Sequence, residues 1–240
     1  TVAQTARRMG IQTEIERFPS TTIGAAEVIP IQMAEAYSTF PNLGTKVRPF
    51  PILRVEDSEG VIIWEPQPER TQVLDSMVSR IMVSMLEDVV IRGTGYNAIR
   101  VRGGLPYQVS AGGKTGTTNG PTELWFSGFN KDIATTVFVG FDRPEPLGER
   151  EQGATVAVPI WIDFMREALK DAPENTMSRP DGIVDRLIDE TSGEPATPGD
   201  PNAIFEYFRS ENAPEPIDTQ LPGLEIDEED EEELSTEIIF

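Results

Sequence analysis

Five consecutive residues, Lys114-Thr115-Gly116-Thr117-Thr118, place an ammonium group, three hydroxyls and a glycine on one short segment. If the segment is extended, Thr115 and Thr117 alternate to the same face, where both hydroxyls can bind one carboxylate. Gly116 lets a substrate backbone approach closely. An extended peptide can then add to the strand by backbone hydrogen bonding. Lys114 brings positive charge to the same place. The same five residues also suit a Gly-rich, solvated hairpin edge with no ligand, and the triplet Lys-Thr-Gly is too short to separate the two readings. A phosphate-binding loop is a third candidate for Gly113-Lys114-Thr115. It requires glycine five residues before Gly113 and a helix after the lysine. Position 108 is Gln, and Asn119-Gly120-Pro121 makes a turn after Thr118, so that reading fails.

The chemistry open to the chain is narrowed by what it lacks. Its 240 residues include no histidine and no cysteine. A Ser-His-Asp triad, a Cys-His dyad, a disulfide and any imidazole- or thiolate-ligated metal are excluded within it. Acid–base chemistry at neutral pH falls to Lys, Glu, Asp or Tyr. No residue pattern suggests an organic cofactor or a metal. The net charge of −21 argues against nucleic acid, whose binding relies on Lys and Arg at phosphates. No apolar run approaches the 18 residues or so of a membrane-spanning helix.

The elements that must position Lys114–Thr118 are legible from periodicity and turn chemistry. Residues 1–10 carry a short helical pattern closed by Gly10, and residues 27–40 a second, with Pro30 in its first turn. Residues 52–55 and 61–64 read as two short strands joined by the turn-forming run 56–60. The clearest helix covers residues 75–90, and its apolar stripe of Met77, Val78, Ile81, Met82, Met85, Leu86 and Val89 is expected to face the core. Three strand-like segments follow, residues 107–118, 124–129 and 134–141, with short turns that predict an antiparallel meander. Residues 156–170 form an amphipathic helix with Ile162, Met165 and Leu169 on one face, widened by Ile160 and Phe164, able to pack on the sheet. The fold class is therefore α+β, an antiparallel sheet flanked by helices. Prolines recur after residue 171, so residues 172–224 read as an extension lying on or beside the body. Residues 225–240, almost wholly acidic at 225–233, are expected to be a disordered tail.

The order of motifs around the lysine carries a family resemblance. Gly112-Gly113-Lys114-Thr115-Gly116-Thr117-Thr118-Asn119 is followed by Glu123-Leu124-Trp125-Phe126-Ser127-Gly128-Phe129, then Phe138-Val139-Gly140-Phe141-Asp142 and Ala157-Val158-Pro159-Ile160-Trp161. Ile23-Gly24, the segment Ile29-Pro30-Ile31-Gln32-Met33-Ala34-Glu35-Ala36-Tyr37 and the turn Arg92-Gly93-Thr94-Gly95 precede them. Over roughly residues 1–210 this resembles the C-terminal part of the transpeptidase domain of class A (bifunctional) penicillin-binding proteins. Glu123 stands where that family usually has Asp. The resemblance implies a five-stranded antiparallel sheet flanked by helices, a penicillin-binding or serine β-lactamase-like fold. It implies acyl transfer through a serine that attacks the D-Ala-D-Ala amide of a peptidoglycan stem peptide, and acylation of the same serine by β-lactams. Three motifs build that site: Ser-x-x-Lys, Ser-x-Asn and Lys-Thr-Gly.

By that resemblance Lys114 lies beside the catalytic groups and the substrate carboxylate. Thr115 and Thr117 bind the carboxylate, the Thr117 N–H is one oxyanion donor, and Gly116 and Thr118 complete the substrate-binding strand. The other two motifs are missing. The residues three before Lys46, Lys114, Lys131 and Lys170 are Leu43, Ala111, Gly128 and Glu167, so no Ser-x-x-Lys exists. Ser210-Glu211-Asn212 fits Ser-x-Asn but lies far beyond Lys114 and reads as chance. Thr1-Val2-Ala3-Gln4 carries no initiator Met and no signal-peptide pattern and reads as the interior of a longer protein. The expected parent is anchored in the inner membrane and works on its periplasmic face, with a glycosyltransferase domain and the front of the transpeptidase domain upstream. The chain by itself is expected to be inactive. Two alternatives stand beside this reading. One is a non-catalytic structural or partner-binding module derived from such a protein. The other is a serine β-lactamase, against which the long segment after residue 171 argues.

Overall fold

The computed structural model describes residues 1–105, 109–171 and 176–217. The expected strand start at residues 107–108 and the acidic tail at 225–240 lie outside the described residues. Among the described residues the chain divides into a larger unit, within residues 1–184 with 207–211, and a smaller one, residues 185–206 with 212–217.

The larger unit is organised by a three-stranded antiparallel meander. Strands β5 (Gly112–Thr117), β6 (Glu123–Phe129) and β7 (Ala134–Gly140) lie in that order, as the short turns predict. The register runs Gly112↔Phe129 to Thr117↔Leu124 between β5 and β6, and Glu123↔Gly140 to Phe129↔Ala134 between β6 and β7. Each turn is held by a side chain. Asn130 Oδ1 accepts the N–H groups of Asp132 and Ile133, which turns β6 into β7. Asn130 is fully buried, so this local bonding satisfies an acceptor that burial would otherwise penalise.

Phe126 and Phe129 differ by an odd number of positions and so rise from opposite faces of β6. Both are fully buried. Phe126 belongs to a core with Trp161, Ile162 and Met165 of helix α4 (Ala157–Ala168) and with Ile99. Phe129 belongs to a second core with Val83 and Leu86 of α3 (Ser76–Ile91), beside Tyr37 and Phe40. Tyr37 lies in α2 (Pro30–Ser38), which packs against β6 and β7. Helices thus cover both faces of the sheet, and the α+β expectation holds. A third cluster joins Met9 of α1 (Val2–Met9) and Ile11 to Ala36 of α2.

Local chemistry explains most element boundaries. Gly10 ends α1 at φ 120°, a conformation open to glycine, and donates its N–H to the carbonyls of Ala6 and Arg7. Helix α2 starts at Pro30 rather than residue 27, because the residue before proline is pushed out of the helical region, and Ile29 is extended at φ −92°, ψ 129°. Asp75 caps α3 by accepting the N–H groups of Met77 and Val78. Strands β1 (Thr45–Val47) and β4 (Arg70–Gln72) pair with each other. The expected hairpin pairs only β2 (Val55–Glu56) with β3 (Ile62–Trp64).

One expected face is wrong and another is narrower than expected. On α3 the buried residues are Ser79, Arg80, Val83, Ser84, Leu86 and Val90, while Met85 is 57 % exposed. Apolar residues nearly encircle this helix, so periodicity could not choose among its faces, and Ser79 and Ser84 are small enough to sit where it closes on its neighbours. On α4 the buried stripe is Ala157, Val158, Trp161, Ile162 and Met165, and Ile160 and Phe164 point outward.

Within residues 172–224 the structure contains two paired strands, β8 (Ile183–Asp189) and β9 (Ala203–Arg209). In the smaller unit Asp189 Oδ1 closes the turn after β8 by accepting the N–H groups of Thr191 and Ser192. Ser210–Asn212 is a 3-10 turn directly after β9. Among the described residues no helix is long and apolar enough to cross a membrane.

Candidate active site

The Lys-Thr-Gly segment is strand β5, at an edge of the sheet. Its beginning is clamped by aromatic rings. A Cβ at Gly112 would lie 2.8 Å from Phe129 Cζ, and one at Gly113 2.6 Å from Phe126 Cζ. Only glycine allows both rings to close over the strand, which anchors it in the two cores just before Lys114. The approach to β5 is braced by the buried Arg100, whose guanidinium donates to the carbonyls of Leu105 and Val109 at 3.1 and 3.2 Å.

Directly opposed residues on antiparallel strands share a face. Thr115 opposes Phe126 and Thr117 opposes Leu124, so both threonines rise on the face that α4 covers. Lys114 and Gly116 oppose Ser127 and Trp125 on the other face. The expectation that Thr115 and Thr117 share a face is met. Lys114 starts from the opposite face and reaches the edge by bending, with its Nζ donating to Thr115 O at 2.7 Å. The backbone pattern agrees. Thr118 N–H donates to Glu123 O at 3.2 Å. Antiparallel alternation then turns the N–H and C=O groups of Thr117 and Thr115 away from β6, toward an edge that no other strand covers among the described residues.

The three hydroxyls have different surroundings. Thr115 Oγ1 lies 3.3 Å from Thr94 Oγ1, which sits in the turn Arg92-Gly93-Thr94-Gly95. Thr117 Oγ1 accepts the backbone N–H of Gly153 at 3.1 Å. Thr118 Oγ1 accepts the N–H groups of Thr122 and Glu123 at 3.1 and 3.0 Å, which commits it to the β5–β6 turn. The structure therefore brings Lys114, Thr115, Gly116 and Thr117 together along one edge and uses Thr118 to end the strand. The two serines nearest in sequence are engaged elsewhere. Ser127 is buried and shares a hydrogen bond with Thr136, and Ser110 is bonded to the Glu87 carboxylate.

The β5 edge thus sets outward backbone donors, two hydroxyls on one face and an ammonium group side by side. Residues 7–166 match the profile described as the Penicillin binding protein transpeptidase domain. The chain belongs to this transpeptidase family. A penicillin-binding protein 1A from Pseudomonas aeruginosa is 36% identical over 260 residues, covering 88% of this chain and 31% of its own length. A penicillin-binding protein 1A from Neisseria gonorrhoeae is 37% identical over 187 residues, covering 75% of this chain and 23% of its own. Among solved structures, penicillin-binding protein 1A from Haemophilus influenzae superposes with a TM-score of 0.78 at 27% identity, covering 89% of this chain and 37% of that one. The PonA1 protein from Mycobacterium tuberculosis in complex with penicillin V shares the fold, with a TM-score of 0.65 at 23% identity over 75% of this chain and 52% of that one. The chain spans about a third or less of the length of the curated relatives it matches.

Sequence reasoning named the turn that holds Thr94 but not its contact with Thr115, and it missed Gly153. The signal for Thr94 was a polar residue between two glycines immediately before the strand. Gly153 acts through its backbone, which leaves no mark in side-chain chemistry.

Proposed function

We propose that this chain is the C-terminal part of the transpeptidase domain of a peptidoglycan D,D-transpeptidase and that the β5 edge binds the acyl-donor stem peptide. The observation that carries the proposal is the outward edge of β5, with Thr117 N–H free of the sheet and Thr115, Thr117 and Lys114 beside it. The donor peptide lies along this edge. Its terminal carboxylate takes hydrogen bonds from the Thr115 and Thr117 hydroxyls and the attraction of the Lys114 ammonium. Gly116 leaves room for its backbone. Thr118 shapes the strand end through the turn it closes.

The reaction needs a serine from a segment outside these 240 residues. Its Oγ attacks the carbonyl carbon of the penultimate D-Ala, and the oxyanion that forms is held by Thr117 N–H and the nucleophile's own N–H. Collapse breaks the C–N bond, D-Ala leaves with a proton on its amine, and an ester to serine remains. An amine on a neighbouring stem then attacks the ester, releases the serine hydroxyl and completes the cross-link. Losing one such oxyanion donor raises the barrier by about 2.7–4 kcal/mol. β-Lactams acylate the same serine. The parent protein works on the periplasmic face of the inner membrane, where its substrate lies, and carries a glycosyltransferase activity besides. The 240 residues by themselves are inactive.

Fluorescent penicillin tests this reading. The isolated chain is expected to remain unlabelled, and the full-length protein to be labelled at a Ser-x-x-Lys serine. In the full-length protein Lys114→Ala or Thr115→Val should slow acylation about 10- to 100-fold, the scale of one charge-assisted hydrogen bond. Covalent labelling of Ser110 or Ser127 in the isolated chain, or full acylation rates in both variants, would sink it.

A further inference from the structure

Thr117 is the hydroxyl of β5 that is bonded to backbone from outside its own hairpin. The donor is Gly153, 36 residues on, at 3.1 Å. Gly153 is buried, and its position is set from both sides. Its carbonyl accepts the N–H groups of Ala157 and Val158, the opening of α4, at 3.0 and 2.9 Å. On the sheet side it rests on the Gly116↔Trp125 pair. A Cβ at position 153 would lie 2.6 Å from Trp125 O and 2.7 Å from Gly116 O, both backbone atoms that cannot move without shifting the strands. The segment before Gly153 is fixed as well, since Gln152 N–H donates to Thr155 Oγ1 at 3.0 Å and Val156 N–H donates to Gln152 O at 3.1 Å.

We propose that Gly153 is a positioning residue for substrate recognition: its N–H orients the Thr117 hydroxyl toward the carboxylate of the bound donor. A threonine hydroxyl has one hydrogen to donate and two lone pairs. An N–H donor at one lone pair fixes the rotamer and leaves the hydrogen for an external acceptor. It also polarises the O–H bond, which strengthens the hydrogen bond given to an anion. The opening of α4 is thereby coupled to the carboxylate-binding edge, and only glycine fits at the coupling point. This rests on the assignment of Thr117 to the substrate carboxylate made under Proposed function.

The test uses the full-length protein, with benzylpenicillin and its methyl ester as probes, because only the free acid presents a carboxylate to Thr117. Gly153→Ala is expected to slow acylation by the free acid about tenfold, the loss of one hydrogen bond to a charged group, while the ester rate changes by less than about threefold. In the double variant with Thr117→Ala, Gly153→Ala should add nothing further, since it acts through a hydroxyl that is gone. Equal slowing of acid and ester by Gly153→Ala, or a full additional loss in the double variant, would overturn the inference. If Thr117→Ala itself leaves the acid-to-ester ratio unchanged, the assignment of Thr117 has failed instead. Should Gly153→Ala not fold, hydrogen exchange decides the matter. Thr117→Val should speed exchange of the Gly153 amide about tenfold or more while amides of α4 beyond its first turn keep their protection, and unchanged exchange at Gly153 refutes the coupling.

Discussion

Arg80 Nη1 lies 3.0 Å from a carboxylate oxygen of Glu87, two turns further along α3, with both side chains largely removed from water. The ring of Tyr207 covers the guanidinium, its centroid 4.0 Å from Arg80 Cζ. Burial is the largest influence on Glu87 and pushes its carboxyl above the usual range, although the Arg80 charge and hydrogen bond pull the other way. A carboxyl whose folded pKa is raised holds its proton more tightly in the native state. Its contribution to stability is therefore greatest below its ordinary pKa of 4.5 and falls as pH rises through the folded value. Relative to Glu87→Gln, the wild-type protein should lose stability as pH rises above about 4.5, read by urea unfolding. A wild-type protein that gains on the Gln variant over that rise would contradict this. Arg80→Leu leaves a buried carboxylate without its partner and should cost about 3–5 kcal/mol at neutral pH.

An aromatic pair lies at the centre of the packing of helix α4 on the sheet. Phe126 and Trp161 meet edge to face, with ring centroids 5.1 Å apart and both residues fully buried. Trp161→Ala should destabilise the protein by about 3–5 kcal/mol in chemical denaturation. The indole N–H has no acceptor among the described residues. Trp161→Phe therefore loses packing but no hydrogen bond and should cost well under half as much. The space is closed on the other side too, because a Cβ at Gly128 would fall 2.5 Å from Phe126 Cε1 and 2.8 Å from Trp161 Cε2. Gly128→Ala should overpack this contact at a cost of about 1–3 kcal/mol. A neutral Gly128→Ala would mean that α4 is held more loosely than this geometry requires.

Asp75 gives α3 its start and a distant tie. Its carboxylate accepts the N–H groups of Met77 and Val78 at 3.1 and 3.0 Å and the Arg209 guanidinium at 2.9 Å. The hydrogen bond from Val78, followed by the Arg209 charge, outweighs desolvation and holds the Asp75 carboxyl below its usual range. A lowered folded pKa means stability that is present above the ordinary value of 3.8 and lost as pH falls through the folded one. Asp75→Asn keeps a capping oxygen but removes this acid dependence. In acid titrations followed by circular dichroism, the wild-type protein should lose its stability advantage over the Asn variant as pH drops below about 4. Asp75→Ala, which removes the cap altogether, should melt lowest of the three at neutral pH.

Much of the fold could be read in the sequence because it rests on local rules. Gly10 stops α1, Pro30 opens α2 and Asp75 opens α3, and each works through atoms within a few residues. The meander followed from aromatic-rich and β-branched apolar segments joined by short turns, and strand alternation put Thr115 and Thr117 on one face. The buried face of α3 was not legible, since its apolar residues nearly encircle it. Neither was the buried Arg80, whose acceptability depends on Glu87 and on Tyr207, 127 positions away.

The sequence by itself determined the family, the strand carrying Lys114-Thr115-Gly116-Thr117 and the absence of imidazole and thiolate chemistry, because residue identity and spacing specify these directly. Tertiary structure alone decided how those residues are presented. Lys114 leaves β5 on the face opposite the threonines and reaches the rim only by bending to Thr115 O. Thr117 is oriented by a backbone N–H that folding brings from the opening of α4. Hydrogen bonds depend on the placement of donors in space, and a backbone donor is the same group at every non-proline position. Only the packing of α4 against the sheet selects Gly153.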